Sequence, residues 1–203
     1  MEVGSADMST NGKQPLRVLL IEDSADDEKL IYRELSLAFK VVLKRVETEA
    51  AMQLAIDSET WDVIICDYNL PGFSPYKALE LLRAGRKDIP FVVLSGVIGE
   101  KQAITILLAG AHDFVDKSKM TRLELVIKRE TRLAVERLQN RLDVETAYDR
   151  TILAWGIALE LRDHHTSGHT QRVTDLTLRL ARRMGMEKQQ LVNIHRGALL
   201  HDV

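Results

Sequence analysis

The chain has 203 residues, a length that suits one medium domain plus part of a second. Hydrophobic residues make up 45% of it and the formal net charge is -2, which excludes global disorder and gives no electrostatic reason to favour nucleic acid or a membrane surface. The single cysteine, Cys66, excludes an internal disulfide and fits a reducing compartment, so a cytoplasmic protein is expected.

Residues 1–14 are polar, lack the apolar core of a secretory signal and read as a loose tail. Five short apolar runs follow, at 17–21, 41–46, 63–66, 91–94 and 114–115. Helical patterns separate them, at 25–39, 49–56, after Pro75 up to Gly85, and 101–109. Continuous apolar runs alternating with helices predict buried parallel strands. The expected fold is therefore α/β, a doubly wound five-stranded parallel sheet in (βα)5 order, with a core domain over 15–120. Cys66 lies inside a predicted strand and reads as a small packing residue.

Residues 121–150 hold no glycine or proline and are rich in Arg, Glu and Leu. Apolar Leu123, Ile127, Ala134, Leu138 and Leu142 fall near helical spacing, interrupted by Glu130 and Arg137. The segment reads as the last helix of the first domain running on as a connector. It is either a solvated helix packed on its own domain or a coiled-coil dimer seam. Residues 151–203 form a second helical region, with segments at 151–161, 173–184 and 189–200. The chain stops at Val203 without a cap or polar tail, so an incomplete all-α bundle is expected. Its apolar residues, among them Trp155, Leu176 and Leu180, predict either self-association or mobile last helices.

The chemistry-bearing residues sit just past the apolar runs. Glu22 and Asp23 follow the first, Asp67 the third, Ser95 the fourth, and Lys117 the fifth. In parallel sheets functional groups gather at the carboxyl ends of the strands, so these five are expected in one shallow pocket. Converging carboxylates repel unless a cation offsets them, and hard oxygen donors suit Mg²⁺. A carboxylate beside Mg²⁺ and an ammonium is placed to attack a phosphoryl group. The competing reading is an acidic surface patch beside a satisfied lysine.

Leu20-Ile21-Glu22-Asp23, Cys66-Asp67-Tyr68-Asn69-Leu70-Pro71-Gly72, Leu94-Ser95-Gly96 and the stretch from Gly110 to Lys117 together resemble a bacterial two-component receiver domain. The resemblance covers 15–140. It implies that Asp67 is the phosphoacceptor, that Asp23 and Asp67 bind Mg²⁺ directly, that Glu22 helps through water, and that the Asn69 carbonyl completes the protein ligands. It further implies that Lys117 holds the phosphoryl group, that Ser95 swings toward it, and that Phe114 follows as the second switch residue. A sensor histidine kinase would be the partner. Ser118 stands where most receivers carry proline, a departure shared with a receiver subgroup that resembles the 95–100 stretch. An aspartyl phosphatase of another α/β family is disfavoured, because Asn69 stands where such families carry a second aspartate.

Five of the six histidines lie between His164 and His201. Imidazole with carboxylate suits Zn, Mn or Fe. Gly168 argues against a regular helix carrying both His165 and His169, while His195 and His112 read as ordinary structural or loop residues. Glu160-Leu161-Arg162-Asp163, Gly168-His169, Arg172-Val173 and Gly197 to Asp202 resemble the start of an HD-type phosphohydrolase of the subgroup named for HD and GYP signatures. That likeness implies metal ligation by His169, His201 and Asp202, and cyclic di-GMP as substrate. The remaining ligands of that family do not occur in this sequence, so no hydrolase activity is expected of this chain. The leading expectation is a response regulator whose phosphorylation controls an HD-GYP-type output. The alternative is a phosphorylation-gated dimerisation module, a homodimer without output catalysis.

Overall fold

The computed structural model describes residues 12–85, 87–96, 99–162 and 168–201. The contact pattern divides the chain into two units, Met1–Glu136 and Arg137–Val203. The expected tail over 1–14 lies mostly outside the described residues, but Gln14 already belongs to a strand.

In the first unit, strands β1 (Gln14–Ile21), β2 (Phe39–Val46), β3 (Val63–Asp67), β4 (Phe91–Ser95) and β5 (Asp113–Asp116) form one all-parallel sheet of order β2-β1-β3-β4-β5. The central strands are buried on both faces, which explains their unbroken apolar runs. Side chains alternate across the sheet. Leu19, Ile21, Ile64, Cys66, Phe91 and Val93 pack on one side with Met52, Ala78 and Ile106. Val18, Leu20, Ile65, Val92, Leu94 and Val115 pack on the other with Ile31, Leu35, Leu123 and Ile127. β2 is an edge strand, and its exposed Lys40 and Lys44 discourage pairing with another chain.

Helices α1 (Ala25–Ser36), α2 (Glu49–Ser58), α3 (Pro75–Ala84) and α4 (Glu100–Leu108) connect the strands. Ser24, Thr48 and Ser74 cap the first three, each side chain accepting a first-turn N–H, and Pro75 opens α3 where a missing N–H costs nothing. Gly72, at φ +75°, makes the turn between β3 and α3 that a side chain would strain. One expectation fails here. The first helix stops at Ser36, and Phe39 opens β2 opposite Gln14. Phe39 keeps helical spacing from Leu35, but sheet pairing and burial on the α1 side of the sheet win.

Helix α5 runs unbroken over Thr121–Arg162, so no second segment begins at Thr151 as expected. Residues 121–162 hold no proline and a single glycine, Gly156, which the helix runs through. Its residues up to Glu136 belong to the first unit, where Leu123, Val126 and Ile127 are buried. Glu130, which interrupts the apolar stripe, is buried too. It pairs with Arg129 at 2.7 Å, and Arg129 also binds Asp113 of β5 at 2.7 Å. In the second unit α6 (His169–Arg183) and α7 (Lys188–Leu199) pack on each other. Arg196 binds Asp149 at 2.7 Å, and Ile152, Ala181, Ala198 and Leu199 are buried. No helix among the described residues is long and apolar enough to cross a membrane.

Candidate functional site

The carboxyl ends of β1 and β3 and the end of β5 bring Glu22, Asp67 and Lys117 together, while Ser95 ends the neighbouring β4. The pairing fixes this. Ile21 lies opposite Cys66, Asp67 opposite Leu94, and Ser95 opposite Asp116, one residue before Lys117. The Tyr68 N–H donates to the Leu94 carbonyl at 2.8 Å and extends the β3–β4 pairing past Asp67.

Lys117 stands at the convergence point. Its ammonium lies 2.5 Å from Asp27 Oδ2, 2.8 Å from Asp67 Oδ1 and 3.0 Å from Glu22 Oε2. All three of its N–H donors are thereby accounted for. Burial works against the ammonium, but the bonds to Asp27, Asp67 and Glu22 outweigh it and hold its pKa above the ordinary lysine value. Glu22 is almost fully buried, at 1% exposure. Burial pushes its carboxyl up, and the Asp67 charge adds to this, against the Ser24 N–H and the Lys117 ammonium. Burial likewise pushes the Cys66 thiol well up, with Asp67 and Glu22 adding to it, so this cysteine is a packing group as expected.

Asp67 is 6% exposed. Its Oδ2 accepts the Asn69 N–H at 3.1 Å while Oδ1 faces Lys117. Ser95 is fully buried, and its hydroxyl has no hydrogen-bond partner. An orphaned buried hydroxyl is costly, and this one stands at the end of β4 beside the strand that carries Asp67. Phe114 is partly buried and packs against the core. Asp23 is exposed.

Two residues escaped the sequence reading. Asp27 lies in the first turn of α1, where a carboxylate is ordinarily read as helix-dipole decoration. The one available signal was its i+4 spacing from Asp23. Arg45 on β2 donates to the Glu22 and Asp23 carbonyls at 3.2 and 3.0 Å and pairs with Glu28 and Glu47, so it fixes the loop carrying both acids.

No three His, Cys, Asp or Glu side chains among the described residues are gathered around a common metal position. At the first site the ammonium occupies the middle of the carboxylates instead. The donor chemistry still fits Mg²⁺. Asp23, Glu22, Asp27 and Asp67 outnumber the one ammonium, and burial together with the Asp67 charge already holds the Glu22 carboxyl above its ordinary value.

In the second unit the His169 and His201 rings lie 5.5 Å apart. His201 Nδ1 is 2.9 Å from the Ala198 carbonyl, which only accepts, so Nδ1 is the donor in this bond. Gly168 stands at the N-cap of α6 with φ +78°. Asp202, His164 and His165 lie outside the described residues. His195 is exposed on α7. His112 does structural work, its Nδ1 accepting the Phe91 N–H at 3.0 Å.

Residues 18–128 match the family model described as response regulator receiver domain. The chain is 27% identical over 125 residues to the Arabidopsis thaliana two-component response regulator ARR15, covering 56% of this chain and 61% of that protein. It is 33% identical over 105 residues to the cell cycle response regulator CtrA of Brucella ovis, covering 50% of this chain and 44% of that protein. The matches thus span about half the length of these curated relatives. The receiver domain of the Francisella response regulator 1452 superposes with a TM-score of 0.52 at 19% identity, over 58% of this chain and 97% of that domain. At that identity the likeness speaks for the fold alone.

Proposed function

The chain belongs to the response regulator receiver domain family of two-component systems, and from that premise we propose that Asp67 accepts a phosphoryl group from a sensor histidine kinase. The observation that carries the reading is the Lys117 ammonium 2.8 Å from Asp67, beside buried Glu22 and the unpartnered Ser95 hydroxyl. Asp67 attacks phosphorus through a carboxylate oxygen. An O–P bond forms, the donor's N–P bond breaks, and its electron pair returns to the donor imidazole. Asn69 and Lys117 hold the carboxylate in place. Lys117 then offsets the charge on the phosphoryl oxygens, and Ser95 donates its O–H to one of them. Asp23, Asp67, the Asn69 carbonyl and, through water, Glu22 would hold Mg²⁺, which supplies further charge neutralisation. Ser95 and Phe114 are the switch pair, because a phosphoryl group rewards Ser95 only in the state where the two meet. Acetyl phosphate with Mg²⁺ should add one phosphoryl mass to the wild-type chain and none to Asp67→Ala. Equal labelling of both would overturn the reading.

For the second unit we propose an HD-GYP-type output segment with His169, His201 and Asp202 as ligands for Fe, Mn or Zn in a cyclic di-GMP phosphodiesterase. The approach of His169 to His201 supports it. The reading for this chain alone is no hydrolysis and no retained metal, because the other ligands of that family do not occur in it. Stoichiometric metal in the purified chain would contradict this. Exposed Val135, Leu138 and Leu142 on α5 favour a second role in phosphorylation-gated dimerisation. Sedimentation with and without acetyl phosphate tests that, and an unchanged monomer would exclude it.

A further inference from the structure

We propose that Asp27 is a positioning residue of the phosphorylation site. It holds the Lys117 ammonium in the unphosphorylated protein, competes for it with the phosphoryl group, and strengthens the site's grip on a divalent cation. The inference rests on the reading of Asp67 as acceptor and assigns a new residue to it.

The geometry makes Asp27 the nearest partner of Lys117, at 2.5 Å against 2.8 Å for Asp67 and 3.0 Å for Glu22. Asp27 is also held on a firm support. Its N–H donates to the capping Ser24 hydroxyl at 3.2 Å, and a carboxylate in a first turn suits the positive end of the helix dipole. Exposure separates the three acids. The Asp27 side chain is 34% exposed, against 1% for Glu22 and 8% for Asp67. Water therefore resolvates Asp27 when Lys117 leaves, whereas Glu22 left unpaired would be a buried charge. When phosphoryl oxygens draw the ammonium toward Asp67, Asp27 is the partner Lys117 gives up. The attraction it exerts shortens the life of the phosphorylated state. The same negative charge favours any cation bound among Glu22, Asp23 and Asp67.

This predicts opposite shifts from one substitution. In the full chain, Asp27→Asn should weaken Mg²⁺ binding, measured by titration calorimetry, by roughly three- to tenfold, and lengthen the phosphoryl lifetime at saturating Mg²⁺, followed by intact mass, by roughly the same factor. Fluorine NMR with beryllofluoride, a phosphoryl mimic, should show tighter binding. Asp27→Ser should repeat the pattern, and Asp27→Glu should stay within about twofold of wild type on each measure, because it restores the charge. Loss of both Mg²⁺ affinity and phosphoryl lifetime in the neutral variants would mark simple structural damage and overturn the proposal. So would no change in either. A wild-type chain that takes no phosphoryl group from acetyl phosphate would instead overturn the acceptor reading itself.

Discussion

In the first unit the charged groups stand at the ends of strands whose neighbours are fully buried, whereas in the second the two neighbouring histidines stand at the start of α6 and just past the end of α7, on helices that leave much apolar surface in water. Phe91, Ile64, Ile65 and Leu94 have no exposure, while Trp155, Leu176, Leu180 and Met184 are each about 60% exposed. A sheet sandwiched between helices fixes strand ends through hydrogen-bonded register, so residues 95 positions apart, Glu22 and Lys117, meet within 3.0 Å. Two packed helices fix one approach, His169 to His201, but bring no further ligand to it among the described residues. The difference teaches that a motif becomes a site only when a cooperative core holds every member of it.

The contrast breaks most visibly in stability. Phe91→Ala should destabilise the first unit by about 3–5 kcal/mol through lost burial and a cavity, whereas Leu176→Ala or Leu180→Ala should stay within about 0.5 kcal/mol. Urea unfolding by circular dichroism and amide exchange checks both, and equal costs would erase the distinction.

Next in size is Lys117→Gln. It leaves buried Glu22 without its counter-ion and should cost about 3 kcal/mol in cation-free buffer. Adding Mg²⁺ should recover much of that, since a ligand bound only to the folded state stabilises it. Thermal melts with EDTA and with Mg²⁺ measure the recovery, and its absence would argue against a cation site.

The pH dependence has a definite sign. The Lys117 pKa is raised above the ordinary 10.5, so its contribution is full below that value and is lost as pH rises through the folded-state value. The Glu22 pKa is raised above 4.5, so its protonated form contributes stability below that value and loses it as pH rises through the folded-state value. Compared with wild type, Lys117→Gln should flatten the alkaline loss that begins near 10.5, and Glu22→Gln should flatten the fall above 4.5. Parallel stability curves for wild type and variants would refute the assignment.

Smaller effects refine the comparison. Ser24→Ala removes the α1 cap under Asp27 and should cost about 1 kcal/mol. Arg196→Ala breaks the exposed pair with Asp149 and should cost about 0.2–1 kcal/mol. Reversal of that order, measured by denaturant midpoint, would mean the second unit depends on its surface charges more than the first depends on a helix cap.

The sequence by itself determined the parallel strands and the acids and amine at their ends, because unbroken apolar runs ending in Glu22, Asp67, Ser95 and Lys117 are local patterns. The HD-type resemblance pointed to His169, His201 and Asp202, and of these the described residues hold His169 and His201. Only tertiary structure decided the strand order β2-β1-β3-β4-β5, the passage of Phe39 from helix into sheet, and the continuity of α5 through residue 151. It alone showed that Ser95 is buried without a partner and that Asp27, rather than exposed Asp23, grips Lys117. Each of those outcomes depends on which distant groups compete for the same space or the same proton, and spacing along a chain does not record that competition.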